Sequence, residues 1–359
     1  MAGAAEAARP RRLLVERLPL RRMILTALAI GLTVGVVAGS WATISEGEFG
    51  AWRTLLVAGI ARGAVYAIIA VGYTLVYGIL FMINFAHGEV FMAGAFSTLF
   101  VAQALNDTGF LNSQPIVSVA ILFASSMLVS MLTAILLERV AYRPLRGAPR
   151  LIPLITAIGA SFFLQNTFRG LFGASSVAYP NIEVLQGRVD FLGFTVSREQ
   201  VIVIIGALLL MVGLYLFIER TKTGRAMRAV GEDKEIAALM GIDVDRVIVT
   251  TFAIGGLLAG AAGILYVFLF NQVNFFMGFV PGIKAFTAAV LGGIGNVVGA
   301  AIGGLALGVI ESVGPTLFLS GADVPSPDQL QPVVAFGVLV FVLIFRPGGI
   351  LGSSEEARA

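Results

Sequence analysis

The sequence predicts an all-α polytopic membrane protein of about ten transmembrane helices, with an inverted repeat and short, broken helices near a central pathway. Three observations predict it. Of 359 residues, 58% are hydrophobic and only 13% are charged, against about 25% charged in a soluble domain; the mean hydropathy is +0.93. The apolar residues fall in a series of runs long enough to cross a bilayer. The charges fall between the runs, where water can solvate them.

Taken in order, residues 1–22 form an Ala/Arg-rich tail with Arg9, Arg11, Arg12, Arg17, Arg21 and Arg22, read as cytoplasmic. Residues 23–44 form a first span, with Gly31, Gly35 and Gly39 on one face. The alternative is a cleaved signal peptide, but the apolar run is long for one. Residues 45–53 then form an external linker, so that 23–53 is an extra N-terminal span and linker. Further spans are read at 54–80, 86–105, 116–137, 152–171, 201–218, 248–270, 282–295, 298–319 and 330–346. A short tail follows at 351–359. This topology leaves both termini inside and places 18 of the 24 Lys and Arg residues on that side, as the positive-inside rule expects. Arg53, Arg62, Arg169, Arg188, Arg198 and Lys284 fall outside or at span ends. The external segment 172–200 contains an alternating piece near Val189–Val196, which suggests a small hairpin or an interfacial helix.

The span at 282–295 is short and ends in Gly292-Gly293-Ile294-Gly295-Asn296; the span at 86–105 starts as abruptly, after Asn84-Phe85-Ala86-His87-Gly88. Interrupted spans at matching places in two halves point to an inverted repeat around a pathway. A faint echo supports it: Ile83-Asn84-Phe85 follows one span and Val273-Asn274-Phe275 follows another. The pairs Gly299/Gly303, Gly304/Gly308 and Gly256/Gly260 have the spacing of close helix contacts, within one subunit or between two.

The stretch Glu219–Val247 is the one long charged segment inside the apolar region and must stand in water between two spans. A short helix is read over 232–240, with Gly231 as N-cap and Glu232 and Asp233 on the first turn, where the helix dipole favours acids. Ile236, Leu239 and Met240 form its apolar stripe, and Gly241 stops it. A helix so short is marginal alone in water, so the stripe docks either on its own protein or on a partner.

Several functions are excluded or disfavoured. The chain has no cysteine and a single histidine, His87, which excludes thiolate and multi-histidine metal sites. No metal site or cofactor is expected. It has no Gly-x-x-x-x-Gly-Lys-Ser/Thr loop for nucleotide phosphates and no nucleophile–base cluster, so no catalytic residue is assigned. The net charge of +3 reflects basic loops beside membrane spans and does not suggest nucleic acid. Asn84, His87 and Glu89 are candidate pathway or gate residues at its inner mouth, or else a helix break with Asn84 as cap and Glu89 on the first turn. Glu311, within a span, is a further candidate, for the pathway or for one structural hydrogen bond. No line of acidic residues runs through the spans, which argues against an ion-coupled carrier.

Three ordered segments carry a family resemblance: GAVYAIIAVGYTLVYGILFMINFAHGEVFMAG (Gly63–Gly94), TGRAMRAVGEDKEIAALMGI (Thr223–Ile242) and PGIKAFTAAVLGGIGNVVGAAIGGLALG (Pro281–Gly308). Together they resemble the branched-chain amino acid ABC permeases of the LivH type over about residues 54–350. The resemblance implies a permease subunit of the bacterial inner membrane, moving leucine, isoleucine or valine. Urea, short amides or other amino acids are the alternative substrates, and a self-sufficient secondary transporter or channel is the alternative of another class. It implies a second permease of the LivM type or a second copy, two cytoplasmic ATPase subunits that hydrolyse ATP, and a periplasmic or lipid-anchored binding protein. Glu235-Ile236-Ala237 followed by Gly241 is similar to the family's Glu-Ala-Ala-x-x-x-Gly pattern, with Ile236 in place of the first alanine. By this resemblance the ATPase-coupling residues are Gly224, Arg225, Arg228, Glu232, Asp233, Glu235, Ala237, Leu239 and Gly241.

Overall fold

The structure is a computed structural model that describes residues 49–149, 151–191, 194–319, 327–345 and 348–352, with single positions at 31, 34 and 41. The N-terminal tail, the body of the span read at 23–44 and residues 353–359 lie outside the described residues.

The other nine spans read from sequence are helices. In chain order the helices are α1 (Phe49–Leu80), α2 (His87–Asp107), a single turn α3 (Phe110–Ser113), α4 (Pro115–Leu137), α5 (Leu151–Phe172), α6 (Arg198–Arg220), α7 (Lys222–Glu232), α8 (Lys234–Leu239), α9 (Val244–Phe270), α10 (Phe279–Gly292), α11 (Val297–Leu319) and α12 (Gln331–Phe345). Seven are long and apolar enough to cross a membrane, while α10 and α12 are shorter, at 14 and 15 residues. Local chemistry sets the ends. Pro115 opens α4, where its missing N–H costs nothing. Asp243 Oδ1 caps α9 by accepting from the Arg246 N–H at 3.0 Å. The segment 172–200 contains a hairpin, β2 (Arg188–Phe191) with β3 (Phe194–Ser197), one of the two forms its alternating pattern suggested. The short β1 (Val177–Ala178) pairs with β4 (Gln272–Val273), tying this segment to the chain after α9.

The helices form two interlocked halves. The first helix of each half packs on the third of the other: α1 on α11, and α9 on α4. Both seams are made of small residues. Gly59 and Gly63 lie against Gly308 and Leu305 of α11, while Gly256 and Gly260 lie against the backbone of Ser126, Ser130 and Met131 on α4. The small-residue pairs at 256/260 and 304/308 therefore serve contacts within one chain. Gly299 and Gly303 pack α11 on α10 in the same way. A side chain at position 304 would collide with the Ala67 backbone, whereas Gly159 has nothing within 4 Å. Gly304→Val is expected to destabilise the protein by about 3 kcal/mol and to lower its Tm in detergent, while Gly159→Ala leaves the Tm unchanged. Equal Tm values for both would refute the seam.

Each half also breaks in the same manner. Among the described residues only Phe81 (φ 55) and Asn271 (φ 52) are non-glycines with positive φ, and each directly follows the first helix of its half. Asn84 and Asn274 stand three residues beyond them, so the faint sequence echo marks equivalent turns. After each break the chain turns back and starts a helix, and the starts of α2 and α10 meet. A Cβ on Gly88 would strike the Gly278 carbonyl, and one on Gly278 would strike the Gly88 carbonyl. His87 lies against Gly72, two turns back along α1 from Leu80, so α2 begins well inside the bundle. This is the arrangement of broken helices that an inverted repeat produces.

Two expected placements are corrected. Lys284 lies within α10, 7% exposed, and Arg62 lies well inside α1; neither is at a span end. Each has a partner there: Lys284 meets Glu311, and Arg62 Nη1 donates to Gln331 Oε1 at 3.3 Å. Paired cations of this kind are tolerated at depth, where a hydropathy count treats them as excluded.

Candidate functional site

Two places concentrate the chemistry. The first is the pair α7–α8 between α6 and α9. The sequence suggested one helix over 232–240; the structure has a longer helix, α7, ending at Glu232, and then α8 from Lys234 to Leu239. The N-cap is Asp233 and not Gly231. Its Oδ1 accepts from the N–H groups of Glu235 (2.8 Å) and Ile236 (2.9 Å), satisfying two donors that a glycine leaves bare. Glu232 therefore closes α7 instead of sitting on the first turn of α8. Gly231 lies inside α7, close against the Gly78 carbonyl at the end of α1. Gly241 ends α8 as read, at φ +82, with the Ile242 N–H donating to the Ala237 carbonyl.

The remaining coupling candidates divide by face. Gly224 is buried against Ile218, and its N–H donates to Thr221 Oγ1 at 3.0 Å. Arg228 binds the Ile218 carbonyl at 2.7 Å and pairs with Glu219 at 3.0 Å, fixing the α6–α7 corner. Ala237 is the one buried residue of α8. Arg225, Glu232 and Glu235 are exposed. So is the apolar stripe: Ile236 is 59%, Leu239 86% and Met240 78% exposed. Of the two docking choices left open by the sequence, the described residues do not provide the first.

The platform is tied to the bundle. Lys234 Nζ stands 5.9 Å from the Phe81 ring centre; burial, and then the nearby Arg146 guanidinium, hold its ammonium below the usual lysine range. Arg146 itself bridges Glu138, fully buried, to Asp245 at the start of α9.

The second place is a cavity of about 270 Å³ where α1, α5 and α10 meet the turn after α1. Its walls are almost wholly apolar: Tyr73, Phe85, Ile158, Phe162, Phe279 and Ile283. Gly278, Gly282 and Ser161 complete it. None of the three candidates in the Asn84–Glu89 stretch lines this cavity, but Glu89 stands directly behind its wall, against Ser161 and Gly278. Glu89 Oε1 accepts from Ser161 Oγ (3.2 Å) and Gln165 Nε2 (2.6 Å). Asn84 points elsewhere, with its Oδ1 accepting from the Tyr142 hydroxyl at 2.8 Å, and it does not cap α2, whose N-cap is Ala86. His87 packs edge-on to Tyr73 at 4.9 Å. Glu311 is not at the cavity either: its Oε1 accepts from Lys284 Nζ at 2.6 Å and from the Tyr66 hydroxyl at 3.5 Å.

Sequence reasoning missed Ser161 and Gln165. The signal was present, because Pro153, Ala157, Ser161 and Gln165 recur every fourth residue and are the buried face of α5. The aromatic walls carried no such signal, since aromatic residues in an apolar span read as ordinary packing.

Comparison with known proteins places the chain. The family model described as "Branched-chain amino acid transport system / permease component" matches residues 55–343. The high-affinity branched-chain amino acid transport system permease protein BraD of Pseudomonas aeruginosa is 46% identical over 306 residues, covering 84% of this chain and 96% of its own. The LivH permease of Escherichia coli K12 is 42% identical over 307 residues, covering 84% and 95%. A weaker similarity reaches the fructose import permease protein FrcC of Rhizobium meliloti, 27% identical over 207 residues and 54% of each chain. The family model takes in all seven described long apolar helices and the two shorter ones, both broken-helix turns and the exposed α8, and on that match this multi-pass membrane protein belongs to the family of branched-chain amino acid transport permease components.

Proposed function

We propose that this chain is a transmembrane subunit of an ATP-driven importer in the bacterial inner membrane, translocating leucine, isoleucine and valine. A separate ATPase chain would hydrolyse the ATP. The observation that carries the reading is α8. Its apolar stripe projects away from the bundle, while Ala237 faces inward and Asp233 and Gly241 fix its two ends. An exposed apolar stripe on a rigid, capped helix is the form a partner groove accepts. Two ATPase subunits on the cytoplasmic side are the proposed occupants. A second permease, of the LivM type or another copy, and a periplasmic or lipid-anchored binding protein complete the assembly. Both termini would then lie in the cytoplasm.

The geometry supplies a transmission route. Displacement of α7–α8 bears on Gly78 through Gly231 and on Phe81 through Lys234. Phe81 opens the turn that leads into α2, whose first residues adjoin the cavity. A rigid push on the platform thus reaches the cavity along about ten residues of one chain. The nearly uniform apolar lining favours aliphatic substrates over urea or short amides, which would leave hydrogen-bonding groups unpaired against it.

Purification of the tagged chain in gentle detergent from its native cell tests the assembly. An ATPase and a second permease, or a second copy, are expected to co-purify, and uptake of labelled leucine is expected to require ATP. A chain that stays alone after crosslinking in the membrane would overturn the importer reading.

A further inference from the structure

Resting on that function, we infer that the cavity beside Glu89 is a transit subsite for an α-amino acid, taking the aliphatic side chain against its apolar walls and the ammonium at the Glu89 carboxylate.

Glu89 is 1% exposed, and only one of its carboxylate oxygens is used. Oε1 takes both hydrogen bonds from α5, whereas Oε2 has no hydrogen-bond partner among the described residues. The free oxygen is directed at Gly278, which lines the cavity: it lies 2.7 Å from where a Cβ of Gly278 would stand. A buried carboxylate with an idle oxygen is costly, and more so within a span. A purely structural tie between α2 and α5 needs only the first oxygen, and glutamine would provide it. The charge is explained instead by its surroundings. Glu89 sits on the first turn of α2 and beside Gly278, the N-cap of α10, so two helix N-termini face one anion. Two helix N-termini favour negative charge at this carboxylate.

The cavity states what the cation is attached to. At about 270 Å³ it falls just below the range of roughly 300–1,000 Å³ that holds drug-sized ligands, which suits a single small amino acid. Its opening is flanked by Ile158 (40% exposed) and Phe162 (53% exposed) on α5. Aromatic and branched walls with one polar end match an aliphatic side chain bearing an ammonium. They do not match a sugar, whose several hydroxyls would meet few polar partners among these walls.

The test uses the assembled transporter in native membranes and a leucine analogue with a diazirine in its side chain. Illumination during ATP-driven uptake is expected to give adducts on Tyr73, Phe85, Ile158 or Phe162, suppressed by excess leucine. Glu89→Gln keeps both hydrogen bonds to α5 but removes the charge, and is expected to lower adduct yield about tenfold or more. Should that variant fail to reach the membrane, Phe162→Trp, at the exposed rim, fills the cavity and is expected to do the same. Transport of the analogue with adducts only elsewhere, or with undiminished adducts in the variants, overturns the subsite but leaves the proposed function intact. A wild-type assembly that takes up no leucine overturns the proposed function and the subsite with it.

Discussion

Leu239→Asp is expected to abolish leucine uptake by the assembled transporter while the amount of chain in the membrane stays as in wild type. Leu239 is 86% exposed among the described residues, so its replacement costs the fold within about 0.5 kcal/mol. In the proposed complex it is the most prominent member of the α8 stripe. Burying an aspartate where a leucine seated itself places an unpaired charge in an apolar groove. Loss of a central interface residue of this kind typically costs 2 kcal/mol or more, about a thirtyfold loss of affinity. The ATPase should therefore fail to co-purify, and uptake should fall to background with normal abundance by immunoblot. The neighbouring control is Arg225→Ala, exposed on α7 but off the stripe, expected to have a smaller effect. Full uptake by Leu239→Asp would remove α8 from the ATPase interface.

The second large effect is expected at the buried pair of Lys284 and Glu311. Lys284 Nζ meets Glu311 Oε1 at 2.6 Å, with exposures of 8% and 2%, and joins the short α10 to α11. Lys284→Met leaves Glu311 charged and unpaired, which is expected to destabilise the protein by about 3–5 kcal/mol. The double variant Lys284→Met with Glu311→Met removes both charges and restores most of that loss, because an apolar pair of similar volume needs no desolvation. The Tm and the membrane abundance of the two single variants and the double variant provide the cycle. Additive losses would show that the two residues act separately. A double variant that is stable but inactive would assign the pair to the transport cycle, since the register of α10 against α11 then matters beyond stability.

The long elements were legible in the sequence because hydropathy reports what lipid demands: α1, α2, α4, α5, α6, α9 and α11 declare themselves as apolar runs. The exposed stripe Ile236, Leu239 and Met240 was legible for the same reason, as a 3.6-residue pattern in a charged loop. Its exact frame was not. Gly231 and Asp233 are both acceptable caps, and tertiary contact decided between them, since Gly231 is needed against Gly78. The ion pair of Lys284 and Glu311 was hidden because its members are 27 residues apart in sequence and no local spacing announces the meeting. Asn84, His87 and Glu89 looked like one constellation because they are neighbours in sequence. The turn after Phe81 leaves Asn84 facing Tyr142, and the rotation of about 200° between alternate residues of α2 turns His87 to Tyr73 and Glu89 to Ser161. Neighbours in sequence share a site only where the local geometry points them the same way.

The crossed glycine seams, α1 on α11 and α9 on α4, have a consequence for how such a chain can arise. Neither half buries its own first helix; each lends it to the other. Two copies of a half-length chain, inserted in opposite directions, would bury the same seams without a covalent link. Duplication and fusion then add only a connection and a fixed orientation. Fixed orientation goes with unequal loops: the segment 219–247, part of the connection between the halves, carries six basic residues, whereas the turns at 81–86 and 271–278 carry none. That charged segment has no counterpart within either half and bears α8, so the connection between two equivalent units is also where the chain presents a surface that neither unit has alone.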